Sequence, residues 1–321
     1  IGLRADTDAL PIQEETSVAW KSAIDKCAHL CGHDGHTAGL LAAATLLAQT
    51  RDFAGSVVLI FQPGEEGWAG ADKMIKDGLF ERYPCREVFA IHGAPSRPLG
   101  TIAVREGAMT ASVDIAYMTV EGQAGHGARP QETIDPMPAA AELILALQTI
   151  VARNINPADS AVVSCCFVQA GDPLAPTVIP QRVNLSATIR THSPRVRDKI
   201  EARFNEITQG IGTVFGGEVK LDYQRRYPPQ INDPALVRAI LPALQSVYGE
   251  AGVDTKFAPS MGGEDFAFMS EKVPGVYMQV GLGDEGHTAQ LHNPGFDFND
   301  LGLAYAARTF AAIVQERLPL N

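Results

Sequence analysis

Thr37-Ala-Gly-Leu-Leu-Ala-Ala-Ala-Thr-Leu-Leu-Ala48 and the later Ser56-Val-Val-Leu-Ile-Phe-Gln62 are the stretches that decide the fold. The first is rich in Ala and Leu, which predicts a helix. The second is a short apolar run that ends in Pro63-Gly64, as a buried parallel strand does. Further strands are predicted at Gly2–Leu3 and Glu87–His92. This alternation of strand and helix predicts an α/β layer with a mostly parallel sheet.

The pattern changes after Gly107, where the predicted elements follow the β-α-β-β-α-β order of a ferredoxin-like unit. They are expected at Ser112–Val120, Pro138–Val151, Ser160–Val168, Val183–Thr191, Arg195–Phe215 and Glu218–Tyr223. The α/β pattern then resumes with a helix, a strand and a helix at Pro234–Tyr248, Gly275–Val280 and Asp300–Leu318.

Three segments therefore make two predicted domains. Residues 1–108 and 225–321 are expected to form an α/β domain with a mostly parallel sheet. Residues 109–224 are expected to form a smaller, ferredoxin-like α+β domain that interrupts it.

Composition limits the classes of partner. The formal net charge of -11 argues against nucleic acid or an acidic membrane, because both repel an anion. No apolar run approaches the length of a membrane span. The 5 cysteines are too few and too irregularly spaced for a disulfide framework, which predicts a reducing, cytoplasmic environment.

A first chemical motif is Cys31-Gly32-His33-Asp34-Gly35-His36, just before the Ala-rich helix. A thiolate and an imidazole two residues apart can converge on one cation, and Gly32 lets the backbone bend between them. Taken alone, the motif has two interpretations, a helix-capping turn with incidental histidines or a metal site.

Further candidates lie at other predicted strand and helix ends. Glu65 and Glu66 follow a buried strand, so one carboxylate can bind metal while its neighbour contacts the attacking water. His92 is predicted to end a strand, and His292 lies in Leu291-His-Asn-Pro-Gly295. A lone histidine is more often structural, but one Cys, three His and one Glu together suit a two-metal centre.

Six motifs in order resemble the M20 metallopeptidase family, in particular its amidohydrolase branch of hippurate, N-acyl-amino-acid and auxin-conjugate hydrolases. The motifs are Arg4-Ala-Asp-Thr-Asp-Ala-Leu-Pro-Ile12, Cys31-Gly-His-Asp-Gly-His36, Gln62-Pro-Gly-Glu-Glu66, Gly125-His-Gly-Ala-Arg-Pro130, Gly263-Glu-Asp-Phe266 and Leu291-His-Asn-Pro-Gly-Phe-Asp-Phe298. They span nearly the whole chain.

The resemblance implies a centre with two divalent ions, Mn²⁺ or Zn²⁺ first, with Co²⁺ or Ni²⁺ also compatible. Its ligands would be Cys31 as the bridge, His33, Glu66, His92 and His292. Glu65 would be the general base, which takes a proton from water and passes it to the leaving amine. Asp8 would be a supporting carboxylate, and Asp6 stands where other branches carry a histidine ligand.

The resemblance also implies that residues 1–108 and 225–321 form the catalytic domain, and that the inserted domain, residues 109–224, is a lid that mediates homodimerisation. His126 would reach the neighbouring subunit's site and stabilise the oxyanion, although it is alternatively a plain loop histidine. Arg190 would clamp the substrate's carboxylate, although a strand-end arginine is often a surface residue. The expected reaction is hydrolysis of the amide bond of N-acyl amino acids, either hippurate-like or acetylated.

Two other hypotheses remain. Ile1-Gly2-Leu3 opens inside a predicted buried strand without an initiating Met, so upstream residues are expected to be missing. The protein could therefore be folded and dimeric but catalytically silent. A nucleophilic hydrolase using Cys31 is disfavoured, because His33 is too close in sequence to act as its base and a metal-bound thiolate is a poor nucleophile.

Overall fold

A computed structural model describes residues 1–320, and the chain divides into two compact units. The first unit comprises Ile1–Met109, Gln230–Pro259 and the segment that begins at Glu264. The second unit comprises Thr110–Pro229 and Ser260–Gly263. The sequence-based domains, 1–108 with 225–321 and 109–224, stay a prediction.

The secondary structure follows the predicted alternation. The strands are β1 (Gly2–Asp6), β2 (Val58–Gln62), β3 (Val88–Pro98), β4 (Ile102–Ala103), β5 (Gly107–Thr110), β6 (Val113–Glu121), β7 (Gly125–His126), β8 (Ala161–Ala170), β9 (Val178–Ile179), β10 (Arg182–Thr191), β11 (Glu218–Tyr227), β12 (Gln230–Asn232), β13 (Val253–Asp254) and β14 (Gly275–Gly283). The helices are α1 (His33–Thr50), α2 (Glu65–Trp68), α3 (Gly70–Lys76), α4 (Leu79–Arg82), α5 (Pro136–Thr149), α6 (Pro194–Phe215), α7 (Pro234–Tyr248), α8 (Ala267–Ser270) and α9 (Leu301–Arg317). Among residues 1–320, none of these helices is long and apolar enough to cross a membrane.

The first unit is built on a six-stranded sheet in the order β13-β4-β14-β3-β1-β2. Strand β1 runs parallel to β2 and β3, and β14 runs parallel to β3, whereas β4 is antiparallel to β14. Helix α9 packs against α1 and α7. Leu3, Leu40, Phe89, Ile240 and Phe310 belong to the core of this unit. The predicted mostly parallel α/β sheet is confirmed.

The second unit has a four-stranded antiparallel sheet in the order β11-β6-β10-β8. Helices α5 and α6 pack on each other and on this sheet, around a core that includes Leu143 and Phe204. The chain order β6-α5-β8-β10-α6-β11 is the ferredoxin-like order predicted from the sequence.

Several element boundaries differ from the prediction, and two of the differences involve predicted metal ligands. Helix α1 begins at His33, before the predicted start at Thr37. The residue that precedes the helix is Gly32, whose φ of 85° lets the chain turn into the helix at that point. Strand β3 continues past His92 to Pro98, so the prediction that His92 ends its strand was wrong. Residues 93–98 hold a glycine and two prolines, which suggested a turn, but they remain paired with β14.

Candidate metal centre

The five predicted ligands come together in the first unit. Cys31, His33 and Glu66 each offer a ligand atom within 4.8 Å of the others. Nε2 of His92 lies 3.4 Å from Sγ of Cys31, and Nε2 of His292 lies 3.2 Å from Oε1 of Glu66. These five residues, called the ligand cluster below, converge from two helix starts, a central strand and the loop after β14.

His33 is the most unusual member of the cluster. It is completely buried, and neither of its ring nitrogens has a hydrogen-bond partner among residues 1–320. Nδ1 lies 3.5 Å from Oδ1 of Asp8, and Nε2 lies 4.0 Å from Oε1 of Glu66. Burial alone would lower the pKa of His33, but the Asp8 and Asp6 carboxylates raise it. Unpaired buried polar atoms are costly, and a bound ion is one explanation for them.

Oε1 of Glu66 has the same character. This atom is buried and, within the described chain, makes no hydrogen bond of acceptable geometry, although His292 is close. Polar atoms of two neighbouring side chains thus face one small volume, and neither side chain makes a hydrogen bond of acceptable geometry through these atoms within the described chain. Such an arrangement suits a cation.

The ring of His92 is oriented by the backbone of the next residue. Its Nδ1 lies 2.7 Å from the carbonyl oxygen of Gly93, so Nδ1 carries the ring proton and donates it. The lone pair of Nε2 is thereby left facing Sγ of Cys31. Metal-binding histidines are commonly held in this way by a hydrogen bond from the other ring nitrogen.

Cys31 is buried, and its surroundings oppose ionisation in the absence of a cation. Burial, together with the Glu66 and Glu65 carboxylates, raises the pKa of Cys31. A nucleophilic cysteine needs a lowered pKa, so these surroundings disfavour the nucleophilic hydrolase. A divalent ion reverses the effect, because a coordinated thiol is deprotonated.

His292 has a strained backbone. Its φ of 65° lies in the left-handed region, which histidine adopts less often than glycine or asparagine. The backbone N–H of His292 donates to the carbonyl of Leu30 at 2.6 Å, which fixes this conformation. Interaction with the Glu66 carboxylate raises the pKa of His292. Strain of this kind is typical of positions that serve a site.

Asp8 and Glu65 lie beside the ligands. The carboxylate of Asp8 accepts the backbone N–H groups of Glu65 and Glu66, each at 2.9 Å, where α2 begins after Gly64. Burial would raise the pKa of Asp8, but the nearby His33 ring and the hydrogen bonds from these N–H groups lower it to about 2. The carboxyl of Glu65 is buried, and burial together with nearby carboxylates raises its pKa well above the ordinary value. A raised pKa suits a general base.

His126 and Arg190 belong to the second unit, so the ligand cluster does not include them. His126 is exposed, and its Nδ1 accepts the backbone N–H of Ala128 at 3.0 Å. Arg190 is half-buried on β10 and donates to the carbonyl of Ile189 at 2.9 Å and to the hydroxyl of Thr188.

A second buried polar group was not assigned a role from the sequence. Arg4 is completely buried and donates to Asp6 and Glu264 at 2.9 Å and to Asp265 at 3.1 Å. Gln62 accepts from Arg4 at 2.8 Å and donates to Asp265 at 2.7 Å. We call these five residues the arginine cluster. The sequence signal that could have revealed this cluster is the charged Arg4 between the apolar residues Leu3 and Ala5 of β1.

The donor set fits divalent ions. A thiolate, three imidazoles and a carboxylate match the ligand preferences of Zn²⁺ and its neighbours. Asp6, His33, His36 and His92 could also surround an ion. Asp6 and His36 are, however, already hydrogen-bonded to each other at 2.6 Å, and burial lowers the pKa of His36 to about 3, so its ring is neutral. The ligand cluster is therefore the better metal site.

Comparison with known proteins identifies the family. Residues 2–316 match the peptidase family M20/M25/M40. An N-acetylcysteine deacetylase of Bacillus subtilis (strain 168) is 37% identical over 314 residues, which cover 98% of this chain and 80% of the relative. A hippurate hydrolase of Campylobacter jejuni is 38% identical over 318 residues, which cover 99% of this chain and 82% of the relative.

A solved structure extends the comparison to three dimensions. It is a Bacillus subtilis protein described as a dinuclear metal-binding peptidase of the M20 family, with a TM-score of 0.83 and 34% identity. The match covers 99% of this chain and 81% of that chain. The family resemblance drawn from the six motifs is confirmed: the chain belongs to the M20/M25/M40 family of peptidases.

Proposed function

We propose that the protein hydrolyses the amide bond of N-acyl amino acids, using two divalent ions held by the ligand cluster. The observation that carries this proposal is the buried His33, whose unpaired ring nitrogens lie beside Glu66 and Cys31. The hippurate hydrolase and the deacetylase among the relatives support the substrate class.

The ligand cluster, including Cys31, would hold both ions. When bound, the ions would activate a water molecule and polarise the amide carbonyl. Mn²⁺ and Zn²⁺ are the proposed metals, with Co²⁺ and Ni²⁺ as substitutes, because the set mixes thiolate, imidazole and carboxylate.

Glu65 would move the proton. Its carboxylate takes a proton from the attacking water as the water oxygen bonds to the carbonyl carbon. It then delivers that proton to the nitrogen as the C–N bond breaks, so that a carboxylic acid and an amino acid leave. The raised pKa of Glu65 and the fixed backbone at the start of α2 support this role.

The second unit would contribute to substrate binding. The guanidinium of Arg190 would bind the substrate's carboxylate in a bidentate way. His126 would stabilise the oxyanion at a neighbouring subunit's site. Because Nδ1 of His126 accepts a backbone hydrogen bond, the neutral ring carries its proton on Nε2, where it can donate.

A homodimer through the second unit completes the proposal. Strand β8 lies at the edge of its sheet and exposes Phe167 and Val168, and such edges favour pairing with another chain. Sedimentation should give a dimer for the wild type and a monomer for Val168→Lys; a monomeric wild type would contradict the dimer.

The free state of all five cysteines in the described chain supports a reducing, cytoplasmic location.

The direct test is amino-acid release from hippurate and a panel of N-acetyl amino acids. Protein stripped with a chelator should be inactive and regain activity with Mn²⁺ or Zn²⁺. Absence of metal-dependent release across the panel would contradict the proposal and favour the catalytically silent protein. Chelator-resistant activity that disappears on alkylation of Cys31 would favour the nucleophilic mechanism instead.

A further inference from the structure

His36 makes two hydrogen bonds that the hydrolytic mechanism does not use. Its Nδ1 lies 2.6 Å from Oδ1 of Asp6, and its Nε2 accepts the backbone N–H of Gly93 at 2.8 Å. Because Nε2 accepts, the neutral ring carries its proton on Nδ1 and donates it to Asp6. His36 is buried, and both of its nitrogens are occupied by protein partners.

Asp6 anchors this histidine. It is completely buried; Oδ1 faces His36, and Oδ2 accepts a hydrogen bond from Arg4 at 2.9 Å. The guanidinium of Arg4 therefore fixes the Asp6 carboxylate, and this carboxylate in turn holds the His36 ring in one tautomer. Both oxygens of Asp6 are engaged, which makes it a poor metal ligand.

Gly93 connects His36 to the ligand cluster. Its N–H donates to His36, and its carbonyl accepts from Nδ1 of His92 at 2.7 Å. A Cβ atom at Gly93 would lie 2.5 Å from Cδ1 of Leu282, so the backbone also packs closely here. The backbone of Gly93 is thus positioned by His36, and its carbonyl in turn orients the ring of His92.

We propose that His36, anchored by Asp6, is a positioning residue that fixes Gly93 and thereby directs Nε2 of His92 toward the metal centre. Asp6 is on this view an anchor that acts through His36, although it stands at a position where other branches of the family carry a ligand. The consequence for the metal rests on the proposed function, whereas the effect on the His92 tautomer does not.

Two substitutions separate the two hydrogen bonds of His36. His36→Gln places an amide near the position of Nε2, so it keeps an acceptor for Gly93 and gives up Asp6. His36→Asn places an amide near the position of Nδ1, so it keeps Asp6 and gives up Gly93. The pair is matched in chemistry, and circular dichroism checks that both variants fold.

The first readout is the His92 tautomer in metal-free protein, from ¹⁵N–¹H spectra of histidine-labelled samples. We expect the ring proton on Nδ1 in the wild type and in His36→Gln, and a mixture of tautomers in His36→Asn. An unchanged tautomer in His36→Asn, or equal disturbance in both variants, would overturn the proposal.

The second readout is titration with Co²⁺, followed by visible absorption. His36→Asn should show an altered spectrum and bind one ion about 10-fold to 100-fold more weakly, while His36→Gln stays close to the wild type. Wild-type affinity in a folded His36→Asn variant would overturn the effect on the centre. A wild type that takes up no Co²⁺ would overturn the proposed metal centre, and the tautomer result would still decide the role of His36.

Discussion

The ligand cluster and the arginine cluster are both buried groups of polar side chains in the first unit, yet their hydrogen bonding differs. In the arginine cluster, Arg4 meets three carboxylates, and Asp265 also accepts from Gln62 and from the backbone of Ala71. In the ligand cluster, His33 and Glu66 keep polar atoms without a protein partner in the described chain. A cluster whose charges are satisfied by protein groups supports the fold, whereas one left open is suited to bind a ligand.

Glu65 adjoins both clusters: it precedes the ligand Glu66 in the chain, and its carboxyl lies near Glu264 and Asp265. Glu65→Gln removes the proton acceptor but keeps the shape of the side chain. We expect kcat to fall about 100-fold to 10,000-fold while metal content stays unchanged. Steady-state kinetics and metal analysis measure this, with the exposed Glu81→Gln as control; near-normal turnover would exclude Glu65 as the base.

Removing Arg4 should damage the fold more than the site. Arg4→Met leaves the buried carboxylates of Asp6, Glu264 and Asp265 without their cation. We expect the free energy of unfolding to fall by about 3–5 kcal/mol, even with a chelator present.

Urea unfolding followed by tryptophan fluorescence checks this change, since Trp20 and Trp68, the only tryptophans in the sequence, both lie in the first unit. Arg153→Met, at an exposed position, is the control. An Arg4→Met variant as stable as this control would show that the arginine cluster is not structural.

The ligand cluster should behave in the opposite way. Metal at 100 times its dissociation constant should stabilise the wild type by about 2.7 kcal/mol. His33→Ala should remove most of this gain but change the metal-free protein far less than Arg4→Met does, because His33 has no hydrogen-bond partner to lose among residues 1–320. Thermal melts with and without Zn²⁺ measure both the metal-dependent gain and the stability of the metal-free protein. A full metal-dependent gain in His33→Ala would exclude His33 as a ligand.

Asp8 should give the smallest effect, and the size of this effect depends on pH. The folded-state pKa of about 2 lies below the ordinary value, so the charged form stabilises the fold above about pH 4. That contribution is lost as the pH falls through 2. Partial exposure reduces it to about 1 kcal/mol. The stability difference between wild type and Asp8→Asn, in chelator, should therefore shrink from pH 5 to pH 2; a constant difference would contradict the lowered pKa.

The sequence predicted the mostly parallel sheet, the inserted β-α-β-β-α-β unit and the family, because apolar periodicity and ordered motifs are local signals. It also named the five residues that converge in the ligand cluster. It did not predict the hydrogen bonds that join Asp6 to His36 and His36 to Gly93, since these residues are distant in sequence and their proximity depends on the packing of the fold. The extension of β3 past His92 was missed because prolines normally end a strand, and only pairing with β14 reveals otherwise.

The most direct test of the contrast between the clusters is a crystal structure of protein soaked in Zn²⁺, with anomalous data collected at the zinc edge. Two peaks are predicted within coordination distance of Cys31, His33, Glu66, His92 and His292, and none in the arginine cluster. A peak coordinated by Asp6 and His36, or by Glu264 and Asp265, would contradict the division between an open metal site and a closed structural network. The absence of any peak at the ligand cluster would contradict it as well.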